Sequence, residues 1–122
     1  MALMKNMQAL LAYQQARKGK VTDILLVSLL GVRSNYLKQI RKGEKTGEDI
    51  KIGHLVGTVN HFLHEEQKNI ELLEKCNKTD TRAYAETQEC ISMLQKALSL
   101  TQDAIILYHD TYPDDKNPLW TY

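Results

Sequence analysis

A glycine set between two short runs of helical periodicity constrains this chain more than any other feature. Residues 21–44 read V-T-D-I-L-L-V-S-L-L-G-V-R-S-N-Y-L-K-Q-I-R-K-G-E. Thr22 carries a hydroxyl able to satisfy a free N–H of a first helical turn, so a helix is expected to open beside it. Leu26, Val27 and Leu30 are spaced to share one inward stripe. Gly31 ends that helix, because a left-handed backbone is tolerated where there is no Cβ. A second helix opens at Arg33 or Ser34, turns Leu37 and Ile40 inward, and closes at Gly43. Arg33, Ser34, Asn35, Lys38, Gln39, Arg41 and Lys42 are left outside, on a basic face rich in hydrogen-bonding groups.

This pattern resembles the helix-turn-helix of the phage lambda-type repressor and Cro family, also called the XRE-type family. The matching positions are Leu26 and Val27 in the first helix, Gly31 and Val32 at the turn, Leu37 and Ile40 in the second, and the closing Arg41, Lys42, Gly43 and Glu44. The resemblance covers roughly residues 6–64 and is specific from 22 to 44. It implies a second helix that enters the major groove of double-stranded DNA with its N-terminal residues at base edges. Carried over position by position, Ser34, Asn35 and Gln39 would read bases, with Arg33 and Lys38 close by. Arg33, Lys38, Arg41, Lys42 and Lys45 would supply charge facing phosphates. Two departures stand out. Where the family often has a phosphate-touching Gln, this chain has Asp23, whose carboxylate repels phosphate. Where the family has polar residues on the outer side of the first helix, this chain has Ile24 and Leu25.

Charge distribution bears on the same question. Overall the chain is +1, but residues 1–53 hold ten Lys/Arg against four Asp/Glu, and residues 54–122 hold six against eleven. The first part is therefore +6 and the second −5, which suits a polyanion held at the N-terminal end only. Six Gly and two Pro, both Pro beyond residue 112, favour helices over strands. The expected fold is all-α, with an N-terminal helix-turn-helix bundle of four to five helices and a long C-terminal helix. Residues 1–64 are expected to form the DNA-binding domain, 65–111 a helical extension for packing or dimerisation, and 112–122 an irregular tail.

In chain order, residues 2–17 are expected to be the first helix, its stripe formed by Met4, Met7, Leu11 and Gln14 and broadened by Leu3 and Leu10. After the helix-turn-helix, Lys45, Thr46 and Gly47 form a loop, and in the family such a loop lies against the sugar-phosphate backbone. A long helix begins at Glu48 or Asp49 and runs to about Cys76. Gly53 and Gly57 weaken it by up to ~1 kcal/mol each relative to Ala. They imply close approach of another helix, or a break into two shorter helices. Asp80 or Thr81 caps a last helix over about 81–108. There Tyr84, Ile91, Leu98 and Ile105 recur at intervals of seven, with Thr87, Leu94, Thr101 and Tyr108 three residues on. Met93, Leu100 and Leu107 add a neighbouring row. The seam of Tyr84, Ile91, Leu94, Leu98, Ile105 and Tyr108 is the expected homodimer contact, or else folds back on Phe62, Leu63, Ile70 and Leu73. Trp120 and Tyr122 are conspicuous in a tail that its prolines keep from being helical.

Other chemistry is thinly represented. His54, His61 and His64 share a helix sector, but zinc needs three or four ligands in closed geometry, and helix histidines at the surface explain them. Cys76 and Cys90 flank a hairpin turn that would leave them roughly 12 Å apart along paired helices, too far for a bridge. There is no glycine-rich phosphate loop, nucleophile elbow or H-E-x-x-H. No metal, no cofactor and no enzymatic activity are expected. No apolar run approaches the roughly 18 residues of a membrane span, and residues 1–11 do not read as a signal peptide, so a cytoplasmic protein with reduced thiols is expected. The leading expectation is a sequence-specific, homodimeric DNA-binding transcriptional regulator, repressor or activator. The alternative is a protein-binding inhibitor or antirepressor that uses the scaffold without DNA, and Asp23, Ile24 and Leu25 favour it.

Overall fold

In the computed structural model, which describes residues 5–114 apart from the side chain of Tyr108, five α-helices follow one another and no strand occurs among the described residues. They are α1 (Lys5–Ala16), α2 (Asp23–Leu30), α3 (Ser34–Arg41), α4 (Ile52–Lys75) and α5 (Arg82–Thr111). The all-α expectation with a long last helix therefore holds. Leu3, Met4, Trp120 and Tyr122 lie outside the described residues, as does the side chain of Tyr108.

Local chemistry sets the short elements. The Thr22 hydroxyl accepts from the Leu25 N–H at 3.2 Å and caps α2. Gly31 ends α2 at φ +69°, and the N–H groups of Gly31 and Val32 both return to the Val27 carbonyl. A Cβ at Gly31 would stand 2.7 Å from His54 Nδ1 on α4, so the turn is tied to α4 by contact as well as by its dihedral. The loop after α3 turns at Gly43 and then at Gly47, whose φ is +95° and whose missing Cβ leaves room for Met7 of α1. Ile50 and Ile52 are buried just beyond it. These anchors delay α4 to Ile52, later than the Glu48 or Asp49 start expected from the sequence.

Once begun, α4 runs unbroken through Gly53 and Gly57. The expected close approach of a helix at Gly57 is not found: nothing lies within 4 Å of the position its Cβ would take. Asn77, at φ +56°, and the Lys78 N–H bond to the Leu73 carbonyl close α4. Thr81 then accepts from the Tyr84 N–H at 3.3 Å to start α5.

One core runs through all five helices. Met7, Leu10 and Tyr13 of α1 meet Leu26 and Leu30 of α2, Leu37 and Ile40 of α3, Leu55, Val59 and Phe62 of α4, and Cys90, Leu94 and Ala97 of α5. The expected division at residue 64 falls inside α4, and α5 completes the core of the N-terminal helices. It packs against both α1 and α4, while α2 packs against α4 and α3. On α1 the inward positions are Asn6, Met7, Leu10 and Tyr13; of the expected stripe Met7 and Leu10 are buried, while Leu11 and Gln14 are half-buried at its edge.

Polar groups bind the three long elements together. Arg17, just past α1, reaches Glu66 of α4 at 2.5 Å and Thr87 of α5 at 3.0 Å. The Tyr13 hydroxyl donates to the same carboxylate at 3.4 Å. Further along α5, Asn6 donates to Thr101 at 3.2 Å. The buried row of α5 thus sets the small or polar Thr87, Cys90, Ala97 and Thr101 around Leu94. Thr87 and Thr101 return their own hydroxyl protons to carbonyls one turn back, at 2.8 Å each, so neither hydroxyl is buried without an acceptor.

Candidate nucleic-acid interface

The candidate face is built on α3, which is eight residues long and rests on two side chains. Leu37 and Ile40 are each 1 % exposed and seat the helix against α2 through Leu26 and Leu30. With that stripe fixed, helical geometry turns Ser34, Asn35, Lys38 and Arg41 outward, and all four are exposed. Arg33 is the residue before the helix, exposed, and makes no side-chain cap. Gln39 is half-buried. Lys42 is exposed and Lys45 half-buried in the following loop. A cleft of about 410 Å³ runs beside this face, lined in part by Arg33, Asn35, Tyr36, Gln39 and Asp49. Its floor includes the Gly31 turn, and burial pushes the Tyr36 phenol above its ordinary pKa.

Arg41 differs from the rest of the expected phosphate-facing set. Its guanidinium grips the Asp23 carboxylate with two hydrogen bonds, to Oδ2 at 2.5 Å and Oδ1 at 2.6 Å. Gln14 of α1 completes the cluster: its amide N–H donates to Asp23 Oδ1 at 2.8 Å and to the Val21 carbonyl at 3.2 Å, and its carbonyl accepts from Arg41. The Arg41 and Gln14 hydrogen bonds hold the Asp23 carboxyl below the usual carboxylate range. Two expectations change accordingly. Asp23 is not a bare negative charge at the start of α2, because Arg41 balances it. Arg41 is not a free cation, because α2 already holds it. Periodicity could not show this, since α1, the start of α2 and the end of α3 meet only in the folded chain.

Four expected cations remain. Arg33, Lys38, Lys42 and Lys45 make no ion pair among the described residues. On α2, Ile24 stands 79 % exposed and Leu25 is half-buried.

The expected pairing seam on α5 is divided between core and surface. Leu94 is fully buried within the protomer, which removes it from any surface a second copy could touch. Tyr84, Ile91, Leu98 and Ile105 are half-buried, and Tyr84 donates its hydroxyl to Glu74 of α4 at 3.2 Å. Among the described residues no group of three His, Cys, Asp or Glu side chains could hold a metal ion, and no helix is long and apolar enough to cross a membrane. Cys76 is exposed and Cys90 buried, both as free thiols. Comparison with known proteins finds no matching family model, no similar curated protein and no similar solved structure.

Proposed function

We propose that the protein is a sequence-specific DNA-binding regulator that lays α3 in the major groove. The observation that carries this reading is the geometry of α3. A short helix is fixed by Leu37 and Ile40 and presents Arg33, Ser34, Asn35, Lys38 and Gln39 on its outer side. Asn35 and Gln39 have amides that match adenine N6 and N7, and Arg33 matches guanine O6 and N7. Lys42 and Lys45 extend the positive charge into the next loop, where phosphate contacts would set register. Two copies on neighbouring half-sites, about one helical turn of DNA apart, would supply the affinity that one short helix lacks. Occupancy of the site would then block or recruit RNA polymerase.

The test is a titration with duplex DNA selected from a random pool, repeated over a range of salt. Affinity should fall with a log–log slope of roughly −0.9 per phosphate neutralised. Gln39→Ala should cost on the order of 1–3 kcal/mol on the selected site and relax one base position. Salt-independent binding, or parent-like binding by both Gln39→Ala and Asn35→Ala, would overturn the reading.

The exposed Ile24 favours a second reading. A phosphate-facing helix gains nothing from a large apolar side chain at 79 % exposure, whereas a protein partner would bury it. In this reading α2 docks an apolar segment of another protein and α3 is scaffold. Ile24→Ser separates the two: it leaves DNA affinity unchanged under the first and abolishes partner capture under the second.

A further inference from the structure

The flank of α5 beside α1 carries an apolar row that the described residues leave uncovered. Met93 and Leu100 are half-buried, and Leu107, seven residues further, is 68 % exposed. Ala9 and Ala12 of α1 lie alongside, and their small side chains leave a cleft of about 510 Å³ that Lys5 and Gln8 of α1 and Met93, Lys96 and Leu100 of α5 also line. A smaller cleft continues it past Leu100 to Ala104, one turn short of Leu107. This row is distinct from the Tyr84, Ile91, Leu98 and Ile105 row, which lies round α5 on the other side of the buried Leu94. Lys96 and Asp103 follow Met93 and Leu100 at the same interval of three, both exposed, and neither makes an ion pair among the described residues.

We infer that this row is a self-association surface, on which α5 of a second copy lies antiparallel about a two-fold axis passing Leu100. The charge pattern selects both the occupant and its direction. In the antiparallel arrangement Leu100 meets Leu100 of the second copy, and Met93 meets Leu107. Lys96 then falls within one residue of the opposing Asp103, and the symmetry makes each of these contacts twice. In a parallel arrangement Lys96 would face Lys96 and Asp103 would face Asp103, which opposes pairing. The row is therefore complementary to itself in one direction only. The surface does not involve α3, so pairing leaves the candidate DNA face open, and the inference stands whether or not that face binds DNA.

Sedimentation equilibrium on the full chain tests it, with helical content checked by circular dichroism. The parent should dimerise at tens of micromolar. Lys96→Glu and Asp103→Lys, each at an exposed position, should weaken the dimer by about tenfold or more, because each sets like charges against one another twice. Combining them restores opposite charges and should return the dissociation constant to within about threefold of the parent. Leu107→Glu should give a folded monomer. A parent still monomeric at several hundred micromolar, about tenfold above the range expected for the dimer, a double variant as weak as the singles, or a Leu107→Glu protein that dimerises like the parent would each overturn the inference.

Discussion

Replacing Glu66 by Leu tests how α1, α4 and α5 are held together. Glu66 is 5 % exposed at its side chain and takes donors from Arg17, Tyr13 and Asn69. Leu fills similar space, so the change removes the carboxylate without a large cavity. What remains is a guanidinium 13 % exposed that, among the described residues, keeps Thr87 as its one hydrogen-bond partner and has a buried Nε without a partner. Breaking a buried ion pair from one side costs about 3–5 kcal/mol. Partial exposure and the surviving Thr87 bond put Glu66→Leu near the lower end, about 3 kcal/mol, which is a large part of the ~5–15 kcal/mol typical of a domain. The buried charge, rather than the lost contact, is the source of that penalty. Adding Arg17→Met should therefore remove the charge penalty and, with the Tyr13 hydroxyl still deprived of its Glu66 acceptor, leave the double variant about 1–2 kcal/mol below the parent, a non-additive cycle. Urea unfolding followed by circular dichroism at pH 7 measures all four proteins. A loss below about 1 kcal/mol for Glu66→Leu, or a double variant no better than the single, would refute the reasoning.

Asp23→Asn should release Arg41 and, if α3 binds DNA, steepen the salt dependence by roughly 0.9 and tighten binding to any duplex; unchanged slope and affinity would show that Arg41 does not reach phosphate. In the parent, Asp23 should titrate below ordinary carboxylates by carboxyl carbon NMR. Its contribution to stability is present above the unfolded value, about 3.9, and is lost as pH falls through the lowered folded value. Gly31→Ala should destabilise by about 1–2 kcal/mol, since φ is +69° and the new Cβ meets His54, whereas Gly57→Ala in open helix should stabilise by up to ~1 kcal/mol; thermal unfolding gives both signs. Burial raises the Tyr13 phenol well above the ordinary value of 10.0, with Glu66 adding to the effect. Stability should then be constant below the unfolded pKa and fall as pH rises through that value towards the folded one, a loss that Tyr13→Phe removes in alkaline unfolding curves.

The sequence alone determined the elements whose causes are local. Thr22, Gly31 and Gly43 act on neighbouring backbone, and Leu26, Leu30, Leu37 and Ile40 report their own helix faces through periodicity. Helix class, the α2–α3 turn and the outward placement of Arg33, Asn35 and Lys38 follow from these few residues. Tertiary structure decided whatever depends on groups distant in the chain. Asp23 and Arg41 read as surface charges and Gln14 as a member of the first helix's stripe, and only folding shows that they share hydrogen bonds and withdraw one cation from the candidate face. Arg17 and Glu66 likewise carry no sequence signal, because a buried ion pair is spelled with the same letters as a solvated one. On α5 the apolar count shows a wide face but not its division: with Ala97 and Thr101 inward, α1 comes close enough to bury the small row. The larger Met93, Leu100 and Leu107 are left at the rim. Periodicity says which residues share a side of a helix; which side meets which neighbour is fixed by packing all five helices at once.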